Sequence, residues 1–218
     1  MIADSNILVH DHLKILGVII DKKFTIITQA QSIVKSCNYH IQALRRIRHL
    51  LSRDIANTIA CSIVGSRLDY CNSLFHGSTE AVLNSLQRIQ NNSTRTVLHS
   101  GSYNNSLSNL RELHWLPICE RIRFKIANLC YRAVRVGQPL YLAELIADYR
   151  PVRLLRSADG HFLTEPRSKT VIANRRFSCA APHIWNSLPP HVRTASSIES
   201  FRSQLKSYLF SAAFDAHP

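Results

Sequence analysis

The sequence predicts a mainly α-helical protein with a short β-structured N-terminus and a loop-rich, helical C-terminal part. Long stretches repeat apolar residues every three or four positions, which is the period of a helix that packs on a core. All the other prolines follow Pro117, so the earlier helices are free of this breaker. Convincing strand patterns are confined to about the first 20 residues.

Two apolar runs near the N-terminus, Ile7–Val9 and Leu13–Ile20, predict strands, and Asp11–His12 between them predicts a hairpin turn. A nearly continuous apolar run is typical of a strand buried on both faces of a larger sheet. An isolated two-stranded hairpin is marginally stable at best. We therefore expect residues 1–23 to be a sheet remnant, the last piece of a domain whose body is missing.

Residues 24–51 predict one long amphipathic helix. Its apolar side comprises Ile26, Ala30, Ile33, Cys37, Ile41, Leu44 and Leu51. Its opposite side carries Lys35, Arg46, His49 and Arg53, with Arg45 and Arg48 flanking. No Asp or Glu occurs from Lys22 to Arg53, so these cations lack the usual acidic partners four residues away. Such a row either binds an anion or is an ordinary solvated face.

Two further helices complete a helical region over residues 24–100. The first has Ser52 or Asp54 as its cap. The second carries its apolar stripe at Leu83, Leu86, Ile89 and Val97. Asn91–Thr94 is expected to weaken this second helix, because such side chains compete for backbone hydrogen bonds.

Residues 101–218 predict a helical, loop-rich region whose main helix starts at Pro117 and stops at Gly137. Its apolar stripe comprises Ile118, Ile122, Ile126, Leu129 and Ala133. Another face carries Arg121, Lys125, Asn128, Arg132 and Arg135. Trp115 and Trp185 could each stack on a base, but we interpret both as core anchors.

The rest of this region predicts a short helix over 141–149 and a loop over 151–176. A final helix begins at a capping box formed by Ser196 and Glu199. Its apolar stripe comprises Ile198, Phe201, Leu205, Leu209 and Ala212.

The charge balance points to a polyanionic partner. Twenty-seven Lys and Arg against fourteen Asp and Glu give a net charge of +13, and nucleic acid is the commonest partner of such a surface. A solvated basic surface without a partner is the alternative. The sequence has no catalytic motif of a known hydrolase, phosphate loop or zinc enzyme, and its Cys and His residues lack complete zinc-ligand spacing. We predict no catalytic residue, no metal site and no cofactor.

The cysteines and the N-terminus predict an intracellular protein, nuclear or cytoplasmic and not secreted. The six cysteines are scattered and form no CxxC pair, which favours free buried thiols in a reducing compartment over disulfides. No secretory signal is visible at the N-terminus. No apolar run approaches the ~18–20 residues that a membrane span needs.

A series of short motifs in order closely resembles the C-terminal part of reverse transcriptases from Jockey-like non-LTR retrotransposons. The first half contains Leu16–Asp21, Ser66–Leu74, Gly77, Leu86–Asn91, Leu113–Pro117 and Arg121–Ile126. The second half contains Tyr141–Leu142, Tyr149–Pro151, Leu155–Ser157, Arg176–Ser178, Ala180–Pro182, Trp185–Asn186 and Leu188–Pro189. Each motif alone is weak, but the ordered series covers nearly the whole chain.

The resemblance implies a palm remnant at 1–23, a thumb-like helical region at 24–100 and a further helical region at 101–218. In such polymerases the thumb holds the template–primer duplex, whereas the catalytic Asp-Asp motif and the endonuclease lie upstream. Neither is present in this sequence, so the resemblance implies a truncated, non-catalytic fragment. The implied partners are a template–primer of RNA or RNA–DNA hybrid and the missing palm in trans, with no membrane.

The candidate nucleic-acid-binding residues are therefore the cations of two helices. They are Lys35, Arg45, Arg46, His49 and Arg53, seconded by Arg121, Lys125 and Arg132. Their expected role is contact with backbone phosphates, independent of base sequence. The alternative is an inert remnant or a helical protein-interaction module with a solvated basic surface.

Overall fold

The computed structural model describes residues 11–101, 105–149 and 161–215, which are mainly helical with a short antiparallel sheet, as predicted. The described residues form two units. The first comprises the residues up to Cys71 together with Ser78–His99. The second comprises Asn72–Gly77 and the residues from Ser100 onward. The three-part division drawn from the sequence stays a prediction.

The sheet is one hairpin, in which β1 (His12–Ile15) pairs antiparallel with β2 (Val18–Asp21). Leu16 and Gly17 turn the chain with φ values of 47° and 82°, and two positive values are typical of the primed turns that suit hairpins. The turn predicted at Asp11–His12 is therefore wrong, because the run Leu13–Ile20 folds back on itself at Gly17. The strand predicted at Ile7–Val9 lies outside the described residues.

The two strands differ in burial. All four residues of β1 are exposed, whereas Val18 and Asp21 of β2 are buried. The prediction of a strand buried on both faces is therefore wrong for β1, whereas β2 packs on the first helix and has no exposed residue.

The Asp21 carboxylate organises the loop that leads from β2 into the first helix. It accepts hydrogen bonds from the backbone N–H groups of Lys23, Thr25 and Ile26 and from the Thr25 hydroxyl, all at 2.9–3.1 Å. Phe24 and Ile26 have φ values of 53° and 59°, a left-handed conformation that costs a non-glycine residue about 1–2 kcal/mol. The carboxylate stabilises this loop because it satisfies donors that the turn aims inward.

The first unit contains helices α1 (Ile27–Ile47), α2 (Arg53–Ala60), α3 (Ser66–Asp69) and α4 (Glu80–Leu98). A 3₁₀ turn, Arg48–Leu50, extends α1, and a π-helical turn, Cys61–Gly65, joins α2 to α3. The predicted apolar stripe of α1 is confirmed from Ile26 to Leu44, since every member is buried, while Leu51 is half-buried. Of the two predicted caps of α2, Ser52 is the one used: its hydroxyl accepts from the Ile55 N–H.

Helix α4 packs on α1 through a partly polar surface. The segment Asn91–Thr94 does not interrupt α4, because its side chains bond within the helix instead of replacing backbone hydrogen bonds. The Thr94 hydroxyl donates to the Asn91 carbonyl at 2.8 Å, and the Gln87 amide donates to the Asn91 side chain at 2.8 Å. Ser93 is the exception: its hydroxyl is fully buried and has no hydrogen-bond partner among the described residues.

In the second unit, helix α5 (Ser106–Glu112) ends in a Schellman motif that delivers the chain to the next helix. His114 is left-handed, with φ 54°, and the Trp115 N–H donates to the Leu110 carbonyl at 2.9 Å. Helix α6 (Ile118–Tyr131) then starts with Pro117 as its N-cap, one residue from the predicted position. A π-helical turn, Arg132–Val136, carries it to Gly137 with φ 69°, which confirms the predicted stop.

The remaining helices complete the second unit. They are α7 (Leu140–Ala143), α8 (Val171–Asn174), α9 (Phe177–Asn186), α10 (Pro190–Arg193) and α11 (Ile198–Phe214). Helix α7 is shorter than the helix predicted over 141–149, because Asp148 forms a β-bridge with Leu163. The cap of α11 is Ser197, which accepts from the Ser200 N–H, so the predicted cap at Ser196 is wrong by one residue.

Helices α9 and α11 pack on α6 around an aromatic cluster. The Tyr131 and Phe201 rings stack with centroids 4.4 Å apart, and Trp185 lies 5.9 Å from Phe201. The indole N–H of Trp185 donates to the His161 carbonyl at 2.8 Å. Trp115 and Trp185 are both buried, which confirms that each is a core residue.

We predict that Asp21→Asn destabilises the protein in a pH-dependent way. Burial alone would raise the pKa of Asp21, but the hydrogen bonds from Thr25, Ile26 and Lys23 outweigh it and hold the pKa below its usual value. The stabilisation is therefore present above the unfolded-state pKa and is lost as the pH falls through the lower folded-state value. At neutral pH we expect a loss of about 1–3 kcal/mol in the free energy of unfolding, measured by urea titration.

The difference between the two proteins should shrink as the pH falls through the folded-state pKa of Asp21, because the wild-type carboxyl then becomes protonated as well. Asp11→Asn is the matched control, since the Asp11 carboxylate makes an exposed ion pair with Lys22 and its substitution should change stability little. A pH-independent difference would contradict the role given to the Asp21 charge.

We also predict that Ser93→Ala stabilises the protein by about 1 kcal/mol, because it removes a buried hydroxyl without a partner and raises helix propensity. The measurement is the urea midpoint at neutral pH. Thr94→Val is the control, since it removes a buried hydroxyl that does have an acceptor, and it should bring no gain. A lower midpoint for Ser93→Ala would show that this hydroxyl is satisfied.

Candidate nucleic-acid interface

The predicted basic row lies on the exposed side of the first unit. Lys35, Arg45 and Arg46 are exposed residues of α1, His49 is exposed in the 3₁₀ turn, and Arg53 is exposed as the first residue of α2. With about 100° between successive residues, Lys35 and Arg46 point almost opposite the centre of the buried stripe. Arg45 lies about 90° away from both, on the flank of the helix. We call Lys35, Arg45, Arg46 and His49 the α1 basic face.

The α1 basic face has no acidic counterpart. Neither α1 nor the 3₁₀ turn contains Asp or Glu, and no ion-pair partner exists for any of its four residues within the described parts of the chain. Other cations are paired: Lys22 with Asp11 at 2.7 Å and Arg123 with Glu120 at 3.1 Å. The uncompensated charge therefore attracts anions to this particular surface.

Arg48, which the sequence places beside this row, has a structural role instead. Its guanidinium donates to the Thr96 and Val97 carbonyls at 3.1 and 2.6–2.9 Å, and to the Leu51 carbonyl at 2.7 Å. The first two acceptors belong to the last turn of α4, where the Thr96 carbonyl also accepts from the N–H of the C-cap residue His99. Arg48 thus ties the C-terminal end of α1 to that of α4 and is not available for phosphate.

The other three candidate residues belong to the second unit: Arg121 and Lys125 lie on α6, and Arg132 lies in the π-helical turn that follows it. Lys125 and Arg132 are exposed, whereas Arg121 is half-buried and engaged in a further interaction. Asn128, predicted on the same face, is buried. Its amide donates to the Phe124 carbonyl at 2.7 Å, and its oxygen accepts from Arg202 at 3.2 Å. The exposed candidate cations of this segment are therefore Lys125 and Arg132.

Sequence reasoning missed Tyr39, an aromatic residue that stands within the α1 basic face. Its side chain is 71% exposed, and it follows Lys35 by one helical turn. The spacing could have identified Tyr39 from the sequence, since a residue four positions after Lys35 lies on the polar side of the same helix. Gln42, three residues further on, is also exposed there.

One cavity of the second unit gathers nucleophilic and titratable groups. A space of about 300 Å³ is lined in part by His76, Glu165, Cys179 and His183. Burial, assisted by the nearby charges of His183, Arg175 and Arg123, lowers the pKa of His76. The Cys179 sulfur accepts from Arg176, and His183 contacts Glu165 at 3.3 Å. In the described residues the Cys179 sulfur has no hydrogen bond to His76 or His183.

All six cysteines are free thiols, as predicted, although Cys61 and Cys119 are exposed. Burial raises the pKa of Cys37 to about 11, which the Arg67 charge partly opposes, and raises that of Cys130 to about 12. Both buried thiols therefore stay protonated and unreactive at neutral pH. No group of three or more His, Cys, Asp or Glu residues that could hold a metal ion occurs in the described residues.

No protein-family model matches the sequence, and neither a curated protein nor a solved structure matches it. Among the helices in the described ranges, none has both the length and the apolar character needed to cross a membrane.

We predict that the Arg48 side chain stabilises the fold and that the Arg46 side chain contributes little to stability. Arg48→Ala should lower the free energy of unfolding by about 2–4 kcal/mol, because it removes charge-assisted hydrogen bonds to the Thr96, Val97 and Leu51 carbonyls. Arg46→Ala should change it by less than about 0.5 kcal/mol. Thermal and urea unfolding followed by circular dichroism measure both. Equal effects would contradict the distinct roles given to the two side chains.

Proposed function

We propose that the chain is a non-catalytic nucleic-acid-binding module that corresponds to the thumb and following helical region of a non-LTR retrotransposon reverse transcriptase. Its ligand is a template–primer of RNA or RNA–DNA hybrid, bound through backbone phosphates. The α1 basic face makes the main contact, and Arg53, Lys125 and Arg132 assist.

One observation carries this proposal: a 21-residue helix whose exposed cations have no acidic partner in the part of the chain that the structure describes. A helix surface that evolved only for solubility usually mixes both signs, since Glu and Lys four residues apart stabilise the helix. On α1 the positive charges repel one another without any such compensation. A phosphate backbone removes this repulsion and releases counterions as it binds.

The geometry of the α1 basic face suits an extended polyanion better than a small ligand. Lys35 and Arg46 are eleven positions apart, which spans about 16 Å of helix axis. A phosphate or carboxylate ligand of small size would contact one of them only. Because the contacts are to repeating charges, binding should depend on salt and little on base sequence.

We also propose a protein partner, a palm sheet that pairs with the hairpin, and the exposure of the hairpin supports it. Leu13, Ile15 and Leu16 are exposed apolar residues, and in the described residues β1 pairs with β2 alone. Such an edge offers backbone donors and acceptors to a further strand. The proposed partner is a palm sheet supplied in trans, so restoration of polymerase activity by a separately expressed palm domain would support this assignment.

The experiment is a filter-binding titration with an RNA–DNA template–primer over a series of salt concentrations. We predict that Lys35→Gln, Arg45→Gln and Arg46→Gln combined weaken binding and reduce the slope of log affinity against log salt by about 2–3. The physical reason is that each lost phosphate contact releases about one counterion fewer.

The matched control combines Arg88→Gln, Arg167→Gln and Lys206→Gln, three exposed cations elsewhere in the chain. This control removes the same number of charges and the same residue types, so it should keep the slope and most of the affinity. If wild-type protein does not bind at low salt, or if both triple variants lose affinity equally, the proposal is wrong. Nuclease-resistant capture of a protein partner would then favour an interaction module.

A further inference from the structure

Tyr39 is exposed to a degree that its packing does not explain. Of the other tyrosines, Tyr70 donates its hydroxyl to the Leu16 carbonyl, and Tyr131 donates to the Ala195 carbonyl from a buried position. Tyr39 has neither burial nor a hydrogen bond among the described residues, and its ring makes one T-shaped contact, with the adjacent His40 ring at a centroid distance of 5.2 Å. Since the residue is 71% exposed, most of the ring surface is open to solvent.

The position of this ring within the α1 basic face indicates its ligand. Lys35, Tyr39 and Arg46 lie within about 40° of one another around the helix. Along the axis, Tyr39 is about 6 Å from Lys35 and about 10 Å from Arg46. An open aromatic ring is thus flanked on both sides by cations that have no acidic partner within residues 11–101, 105–149 and 161–215.

This arrangement matches the way proteins hold single strands, which combines cations along the backbone with aromatic rings under the bases. In a duplex each base is already stacked on its neighbours, so its flat face is hidden and only edges and phosphates can be contacted. An aromatic ring that meets the surface of a duplex would therefore add little to the binding affinity. An unpaired base can cover the Tyr39 ring while its flanking phosphates meet Lys35 and Arg46.

We propose, on the premise that the α1 basic face binds nucleic acid, that Tyr39 stacks on an unpaired base. The preferred ligand of this face is therefore a single-stranded segment, such as an overhang next to a duplex. The stacking contact adds affinity that does not depend on salt, and the cations add affinity that does.

The experiment compares a single strand of about 12 nucleotides with the blunt duplex of the same sequence, by fluorescence anisotropy with the full chain. We expect Tyr39→Ala to weaken single-strand binding about 5- to 100-fold, with an unchanged salt slope, and to change duplex binding less than about twofold. Tyr39→Phe should keep single-strand affinity within about twofold, because the ring and not the hydroxyl makes the contact. A 2-aminopurine strand should be quenched by wild-type protein and by Tyr39→Phe, but much less by Tyr39→Ala.

Tyr141→Ala is the matched control, since Tyr141 is 69% exposed and lies on α7, away from the α1 basic face in sequence. It should bind both ligands as wild type does. Equal single-strand affinity for wild type and Tyr39→Ala would overturn the stacking contact while leaving phosphate binding intact. Equal losses for Tyr39→Ala and Tyr39→Phe would assign the contact to the hydroxyl and overturn it too. No binding by wild type to either ligand would overturn the proposed function itself.

Discussion

The fixing of α1 at both ends by side-chain-to-backbone hydrogen bonds is the constraint on which the first unit depends. At its start the Asp21 carboxylate satisfies the turn through Ile26, and the Gln29 side chain accepts from the Ile19 N–H at 2.9 Å. At its end the Arg48 guanidinium holds the last carbonyls of α4. Between these ends the apolar stripe packs on α4, so the opposite side of α1 must face solvent. The α1 basic face is a consequence of this packing.

The net charge of +13 overstates the cationic surface, because several arginines serve the fold. Arg67 donates to the Ser36 hydroxyl and the Ile63 carbonyl, and Arg175 donates to the Leu74 and His76 carbonyls. Arg193 is buried with its guanidinium 3.9 Å above the Phe162 ring. A guanidinium fits these places because its planar fork can donate to several carbonyls at once or lie flat on a ring. The remaining charge is concentrated on fewer surfaces than composition suggests.

Much of the fold follows from local pattern. The stripe on α1, the start of α6 to within one residue, the stop at Gly137 and the burial of both tryptophans were predicted, because each depends on periodicity or on Pro and Gly, whose effects are local. The hairpin turn was predicted at the wrong place, since Leu16–Gly17 is not one of the usual turn pairs. Helix α9 was not predicted, because Pro182 lies inside it and the tertiary packing of Trp185 outweighs the lost backbone bond.

For the candidate interface, the sequence by itself determined that α1 would be amphipathic and free of acidic residues, because both properties are fixed by residue order and helical period. It could not separate Arg48 from Arg46, or Asn128 from Lys125, since within each pair both members carry polar side chains on helices. Only the tertiary structure decided this. Arg48 meets the carbonyls at the end of α4, and Asn128 meets Arg202 of α11. Such contacts join residues about 50–75 positions apart, which no local pattern encodes.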